Sequence, residues 1–303
     1  MPATGQLPLG RAHDAALRVP CSADDPDLGA WEAPRPEDAR MTWEDIQQIC
    51  AAGDLDHLLR AKDLEARYLA WATRIRARWG GVEAYVRGVR LGWASDDVGV
   101  PAPALGDDHF RDTADEDRVK RLPNDWPYAV PAGCEHWVVW SRLPIYSPSL
   151  FQTPDSPFAA GAAREALYAA VSHDGIRGLT GSAASSSPRV IGLATREYLS
   201  ASPLVQTAPP SGASPLFSSV PLPSTDPAAP TLAPPTLESA TDLAERAHAW
   251  AGRFVQAYVR RVWDEAQWET AWFCNPPHLR TVPGLSHFHV IARRKSTHAA
   301  AQT

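Results

Sequence analysis

The sequence has little that would make it basic, disulfide-bonded or membrane-bound. Twenty-nine Lys and Arg against 35 Asp and Glu leave a net charge of −6 with histidine neutral, so there is no general attraction for nucleic acid or for an anionic membrane. The cluster Arg293, Arg294, Lys295 is too short to make a phosphate-binding stripe and reads as a solvated strand exit. Four cysteines, Cys21, Cys50, Cys134 and Cys274, lie far apart without a CxxC pair, which removes the usual zinc and dithiol signatures and fits a reducing compartment. The opening residues lack the apolar stretch of a signal peptide, and no run of about 18 apolar residues occurs. The expectation is a cytoplasmic protein, with entry to the nucleus open, that engages neither nucleic acid nor membrane.

Tryptophan is absent between Trp140 and Trp250, although the chain carries 12 of them. Proline behaves in the opposite way, with 14 of its 29 residues between positions 147 and 238. Each buried aromatic removes about 150 to 250 Å² from water, so the core is expected where the tryptophans are. Residues 41–146 and 239–295 are therefore assigned to one discontinuous folded domain. Residues 147–238 read as a Pro/Ser/Ala-rich low-complexity insertion that loops out, and 1–40 and 296–303 as disordered tails. Two islands, Ala162 to Val171 and Val190 to Tyr198, have enough apolar periodicity to form short elements inside the insertion.

Thr42 to Asp45 has the form of a capping box, and Trp43, Ile46, Ile49 and Cys50 follow at helical spacing until Gly53. Asp54 is placed to cap a second helix carrying Leu55, Leu58, Leu64, Tyr68, Trp71, Ile75 and Trp79, which Gly80 and Gly81 stop. Val82 to Val89 suggests a third helix. Ser239 and Asp242 form another capping box at the head of a long helix over 240–263. Strands are expected near 134–140, 270–274 and 286–292. The fold class is thus α+β: N-terminal helices plus a small, mainly antiparallel sheet covered on one face by the long helix.

His287 and His289 alternate with Phe288 and Val290, so in a strand both imidazoles project from one face. The segment NDWPY, with Pro127 forcing Trp126 into extended geometry, reads as a turn whose Asn124 and Asp125 bond backbone amides. Trp126 is also a flat surface on which a sugar or base could stack.

The stretches TWEDI, RYLAWATRIRARWGGVEAYVRGVRLGW, NDWPY, GCEHWVVWSRLPI and AWFCNPPHLRTVPGLSHFHVIARR resemble the fungal N-acetylglucosamine-induced protein family. The resemblance covers both folded blocks, about half the chain, and implies a link to an amino-sugar response without implying catalytic residues. PGLSHFHVIAR is also similar to a reduced histidine-triad motif, a family whose fold is a form of the α+β class and whose histidines attack nucleotide phosphates. Only two of its three histidines are present: the nucleophile is His287 if the first position is Leu285, or His289 if the last is Ile291. Asn275 and Ser286 would then support the phosphate or the ring.

The functional expectation is a nucleotide or nucleotide-sugar pocket at His287 and His289, with His136, Trp126 and Asp125 as further ligand-binding residues. If the chain is an enzyme, that similarity implies a nucleotidyl hydrolase or transferase. The alternative is a non-catalytic regulatory or scaffold protein acting through protein partners. A metal reading would add His136 and Asp125 to the histidine pair, but spacing fixes no third ligand, so no metal is assigned and no cofactor is indicated.

Overall fold

The computed structural model describes residues 41–93, 108–112, 117–158, 161–181 and 237–295. Its strands are β1 (Val119–Pro123), β2 (Cys134–Ser141), β3 (Ile176–Thr180), β4 (Trp268–Cys274) and β5 (Ser286–Arg294). They form one sheet in the order β1-β2-β5-β4-β3, with every pairing antiparallel. The α+β class is what forms. The three expected strands are present, while β1 and β3, one at each edge, carry polar or glycine residues at their centres and have no apolar alternation.

The helices are α1 (Trp43–Ala52), α2 (Lys62–Trp79), α3 (Val82–Tyr85), α4 (Ser149–Gln152), α5 (Ala162–Asp174), α6 (Leu237–Ala251) and α7 (Arg253–Val262). The Thr42 cap is realised: Asp45 N donates to Thr42 Oγ1 at 3.1 Å and Thr42 N to Asp45 Oδ2 at 2.8 Å. Asp54 does not cap α2. It precedes a short 3-10 turn, Leu55–His57, without a side-chain cap bond, and α2 begins only after Ala61. The Ser239 cap is likewise corrected, since α6 already runs through that residue from Leu237. Nor is the long helix continuous: it steps at Gly252, where an added Cβ would lie 2.8 Å from the Trp272 ring.

Period-2 alternation in β5 sends Phe288, Val290 and Ala292 to one face, where they pack with Trp272, Ile176, Ala247, Ala251, Val255, Tyr258 and Val259 under α6 and α7. The other face carries Ala271, Phe273 and Ile291 against Trp43, Ile46 and Cys50 of α1. Beside that patch, Tyr68 and Trp71 of α2, Tyr85 of α3 and Trp126 from the turn between β1 and β2 build an aromatic layer, on which the half-buried Trp140 of β2 rests.

Part of the stretch expected to loop out, 147–238, belongs to the fold. Residues 147–181 supply α4, α5 and β3, and thus an edge of the sheet. The reason is packing that composition does not reveal: Leu150, Phe151, Phe158, Leu167, Val171 and Ile176 are all buried in the core beneath α6 and α7. Tyr146 ties β3 to β4, its hydroxyl accepting from Ile176 N at 2.9 Å and donating to Cys274 O at 2.6 Å. The island Val190 to Tyr198, the rest of 182–236 and both expected tails lie outside the described residues.

Gly178, in the middle of β3, leaves room for a side chain that is not its own. A Cβ there would stand 2.5 to 2.7 Å from the Trp272 indole, and that ring is 2% exposed with Gly252 on its far side. Replacing glycine by alanine gains about 0.4 to 1 kcal/mol from the unfolded chain, whereas overpacking costs about 1 to 3 kcal/mol. Gly178→Ala is therefore expected to lower the urea-unfolding free energy by about 1 to 2 kcal/mol; an unchanged or raised midpoint would show that Trp272 can move aside.

Candidate functional site

Pairing of β2 with β5 sets Trp140 opposite His287, Val138 opposite His289 and His136 opposite Ile291. The three histidines share one sheet face and are each buried to within 6 to 8% exposure. His136 Nε2 lies 3.1 Å from His289 Nδ1. The rings of His287 and His289 are 5.4 Å apart; Trp140 covers His287 at 4.6 Å and Phe273 stacks on His289 at 5.1 Å.

The hydrogen-bond partners fix the tautomers. Tyr128 N donates to His136 Nδ1 at 3.2 Å, so that nitrogen is bare and His136 carries its hydrogen on Nε2. That hydrogen goes to His289 Nδ1, which leaves the His289 hydrogen on Nε2. His287 is reversed: Nδ1 donates to Leu285 O at 2.7 Å, so Nε2 is a lone pair. Burial holds all three rings neutral, pushing His136 down to about 3, with Arg60 adding to the effect. His287 is pushed down to about 4, again by burial, against the bond to Leu285 O. Burial carries His289 well below the ordinary value, with His136 and His287 contributing.

NDWPY delivers part of this arrangement. Asn124 Oδ1 accepts from Trp126 N at 2.9 Å, the expected side-chain turn, and the Asn124 amide lies against the His136 ring, 3.2 Å from Nε2 and 3.4 Å from Nδ1. Asp125 is held by a side chain. Its carboxylate takes Arg90, the last residue of the π-helical turn Val86–Arg90 that follows α3, Nε at 2.8 Å and Nη2 at 2.6 Å, a bidentate pair. Arg60 Nε donates to Trp126 O at 3.0 Å while its guanidinium sits 4.3 Å over the Tyr68 ring.

Between these groups and the α2–α3 layer is a cavity of about 80 Å³. His287 and His289 line it with Trp126 and Trp140 from the strand side and Tyr68 and Trp71 from α2; Arg60, Arg90, Asp125 and the exposed Pro123 and Thr281 stand around it. The indole N–H groups of Trp71 and Trp126 are buried and find no acceptor among the described residues. Trp43 and Trp93 also carry such groups, but neither lines this cavity.

Of the expected site residues, His287, His289, Trp126 and Asp125 meet at the cavity and His136 stands directly behind it. Asn275 and Ser286 do not line it. Ser286 alternates to the strand face opposite His287, and Asn275 is buried beyond β4, where it bonds Tyr128 and accepts Arg280 Nε on its carbonyl at 2.8 Å. The Trp71 and Tyr68 walls and the Arg60 and Arg90 contacts were missed. The two aromatics belong to a helical stripe that reads as plain core, and the arginines carry no local signal. The metal arrangement finds no support in the donors, because the His136 nitrogens face Tyr128 N and His289 and the Asp125 oxygens face Arg90. Among the described residues no group of three or more His, Cys, Asp or Glu is placed to hold a metal ion, and no helix is long and apolar enough to cross a membrane.

Comparison with known proteins adds a family without an assigned function. Residues 42–153 match a family model described as a protein of unknown function, DUF3605. That stretch holds α1 to α4, β1 and β2, and ends before β5. An uncharacterized protein of Saccharomyces cerevisiae, YPL067C, is 29% identical over 110 residues, 35% of this chain and 50% of the yeast protein. The chain thus spans about half the length of that relative. A solved crystal structure, that of HTC1, is similar with a TM-score of 0.42 and 18% identity, covering 84% of this chain and 89% of that chain. The family model and the yeast relative fit a fungal family of unknown function.

Proposed function

We propose that the histidine cavity binds the acetamido group of an N-acetylated ligand, with N-acetyl amino sugars, free or as nucleotide sugars, as the ligand class. The observation that carries this reading is the set of unspent polar atoms on the residues that line it: the buried N–H groups of Trp71 and Trp126, the His289 Nε2–H and the His287 Nε2 lone pair. A buried donor without an acceptor costs about 1 to 3 kcal/mol, so an incoming oxygen is favoured there. An acetamido group supplies a carbonyl with two lone pairs for the donors, an N–H for His287 and a methyl for the aromatic wall. The resemblance to the N-acetylglucosamine-induced family points to the same chemistry from an independent direction.

Size and charge argue for binding of an uncharged group rather than phosphoryl transfer. About 80 Å³ is well below the ~300 Å³ at which sites for whole small molecules begin, so a nucleotide portion would stay outside the mouth. A phosphate inside would leave water for aromatic and imidazole walls, and because Arg60 and Arg90 beside them already hold Glu65 and Asp125, the transfer stays costly. The third histidine position of a triad is filled by Leu285 or Ile291, both buried aliphatic residues.

Calorimetry and thermal shift test the reading with four probes. N-acetylglucosamine and its uridine diphosphate derivative should both bind in a way that depends on His287, while glucosamine should not bind and any binding of uridine diphosphate alone should survive His287→Ala. At a ligand concentration of about 100 times Kd the folded state gains about 2.7 kcal/mol, and His287→Ala and His289→Ala should abolish that gain. An equal response to glucosamine would defeat the acetamido assignment. No response to any probe from folded protein would put the scaffold alternative ahead.

A further inference from the structure

A second cavity, of about 480 Å³, lies along β3, an edge strand of the sheet, between the end of α1 and the α6–α7 wall. Unlike the histidine cavity, it is within the range of about 300 to 1,000 Å³ typical of small-molecule sites. The helix wall presents Ala249, Gly252 and Ala257 on one face, and Gly178 of β3 stands across from them, so the space between is a slot. Trp272 closes its inner end. The indole is wedged between Gly178 and Gly252, and its N–H is held by Gln256, whose own amide donates to Leu179 O at 3.1 Å. The floor is therefore fixed before any ligand arrives.

The polar groups around the slot are unevenly charged, with Arg177, Arg253 and Arg260 against the single carboxylate of Glu245. Arg260 is paired with Glu265 at 2.9 Å, and Arg253 lies flat on the Trp250 and Phe254 rings. Arg177 reaches under the end of α1, where Nε donates to Ala51 O at 3.4 Å and Nη2 to Ala52 O at 3.2 Å, two carbonyls that a helix end leaves open. Its remaining nitrogen, Nη1, is buried and has no partner among the described residues. Asp174, the carboxylate whose charge acts most on Arg177, is engaged by His248 at 3.1 Å and His173 at 2.9 Å. A guanidinium held at two corners with the third unspent is a fixed donor for an oxygen that the described residues do not supply.

We infer that this slot is a second ligand site, separate from the histidine cavity, which takes a planar ring bearing an oxyanion, phosphate or carboxylate, with the oxyanion on Arg177 and the ring between β3 and the small residues of α6 and α7. The inference does not rest on the acetamido reading.

Calorimetry on the full chain tests it with adenosine monophosphate, benzoate, inorganic phosphate and adenosine. At least one of the two ring-bearing anions should bind saturably and more tightly than inorganic phosphate or adenosine. Arg177→Gln should weaken that binding about tenfold or more. Because Arg177 also holds the end of α1, the decisive variant is Ala257→Trp, which fills the slot from an exposed position and should abolish binding in a chain that still folds. His287→Ala should leave it unchanged. Binding of adenosine monophosphate alone identifies phosphate as the recognised group, and of benzoate alone, carboxylate. The site is overturned if neither anion binds, if adenosine binds as well as its monophosphate, or if Ala257→Trp binds like the parent.

Discussion

Acidification from about pH 7.5 to about pH 5 is expected to remove about 6 kcal/mol of folding stability. The sign follows from the three imidazoles. His136, His287 and His289 are each held below the ordinary histidine value of 6.5 in the folded chain, chiefly by burial. Once pH falls through the unfolded value, the unfolded chain takes up protons that the folded chain refuses. Each ring then costs about 1.4 kcal/mol per pH unit, or about 2 kcal/mol at pH 5. The window runs from about 6.5 down toward the folded values of about 4 for His287 and about 3 for His136. His248 and His109, also lowered chiefly by burial, act in the same direction. A carboxylate such as Asp45, lowered by its bonds to Thr42, contributes only at more acid pH. Typical domains have about 5 to 15 kcal/mol in all, so this loss brings the chain close to unfolding. Urea titrations at half-unit intervals would show it, and a midpoint flat between pH 7.5 and 5.5 would mean that the rings are not buried as described.

Asp125→Ala is expected to cost about 3 to 5 kcal/mol, far more than the loss of an exposed ion pair. Arg90 keeps 10% of its side-chain exposure and Asp125 23%, and the bond between them is bidentate. Truncating the carboxylate leaves a guanidinium that burial has already stripped of most of its water. Adding Arg90→Met should recover a large part of the loss, because no charge is then left behind. Chemical denaturation of the two single variants and the double variant measures the coupling. A cost under about 1 kcal/mol for Asp125→Ala would place the pair among solvated surface contacts and remove the reason for the acidic residue in NDWPY.

The features legible in the sequence were those written at short range. Strict alternation in β5 placed His287 and His289 on one face, and Thr42 with Asp45 announced the start of α1 because both partners lie within one turn. What escaped notice depended on residues distant in the chain. Gly178 makes sense only once Trp272 lies across it, and Arg177, which interrupts the apolar pattern of β3, is there for the end of α1. Arg90 and Asp125 are 35 positions apart. Trp71 was legible as a buried residue, but a helical stripe does not say which buried rings face a void. The low tryptophan and high proline content after Trp140 hid α4 and β3, because that stretch is buried through smaller apolar residues and phenylalanine, while the apolar spacing from Ala162 to Val171 did announce α5.

The position of β5 bears on how the protein is made. A ribosome releases β1 and β2 first and β3 soon after, β4 more than a quarter of the chain later still, and the strand that joins the two pairs last of all. Until residue 294 has emerged, β2 and β4 each lack a neighbour on one side, and closing the sheet must bring together segments some 150 residues apart, a slow class of contact. Nascent chains stalled short of β5 should therefore hold two unjoined pairs of strands with open edges, the state in which chaperone contact and aggregation compete.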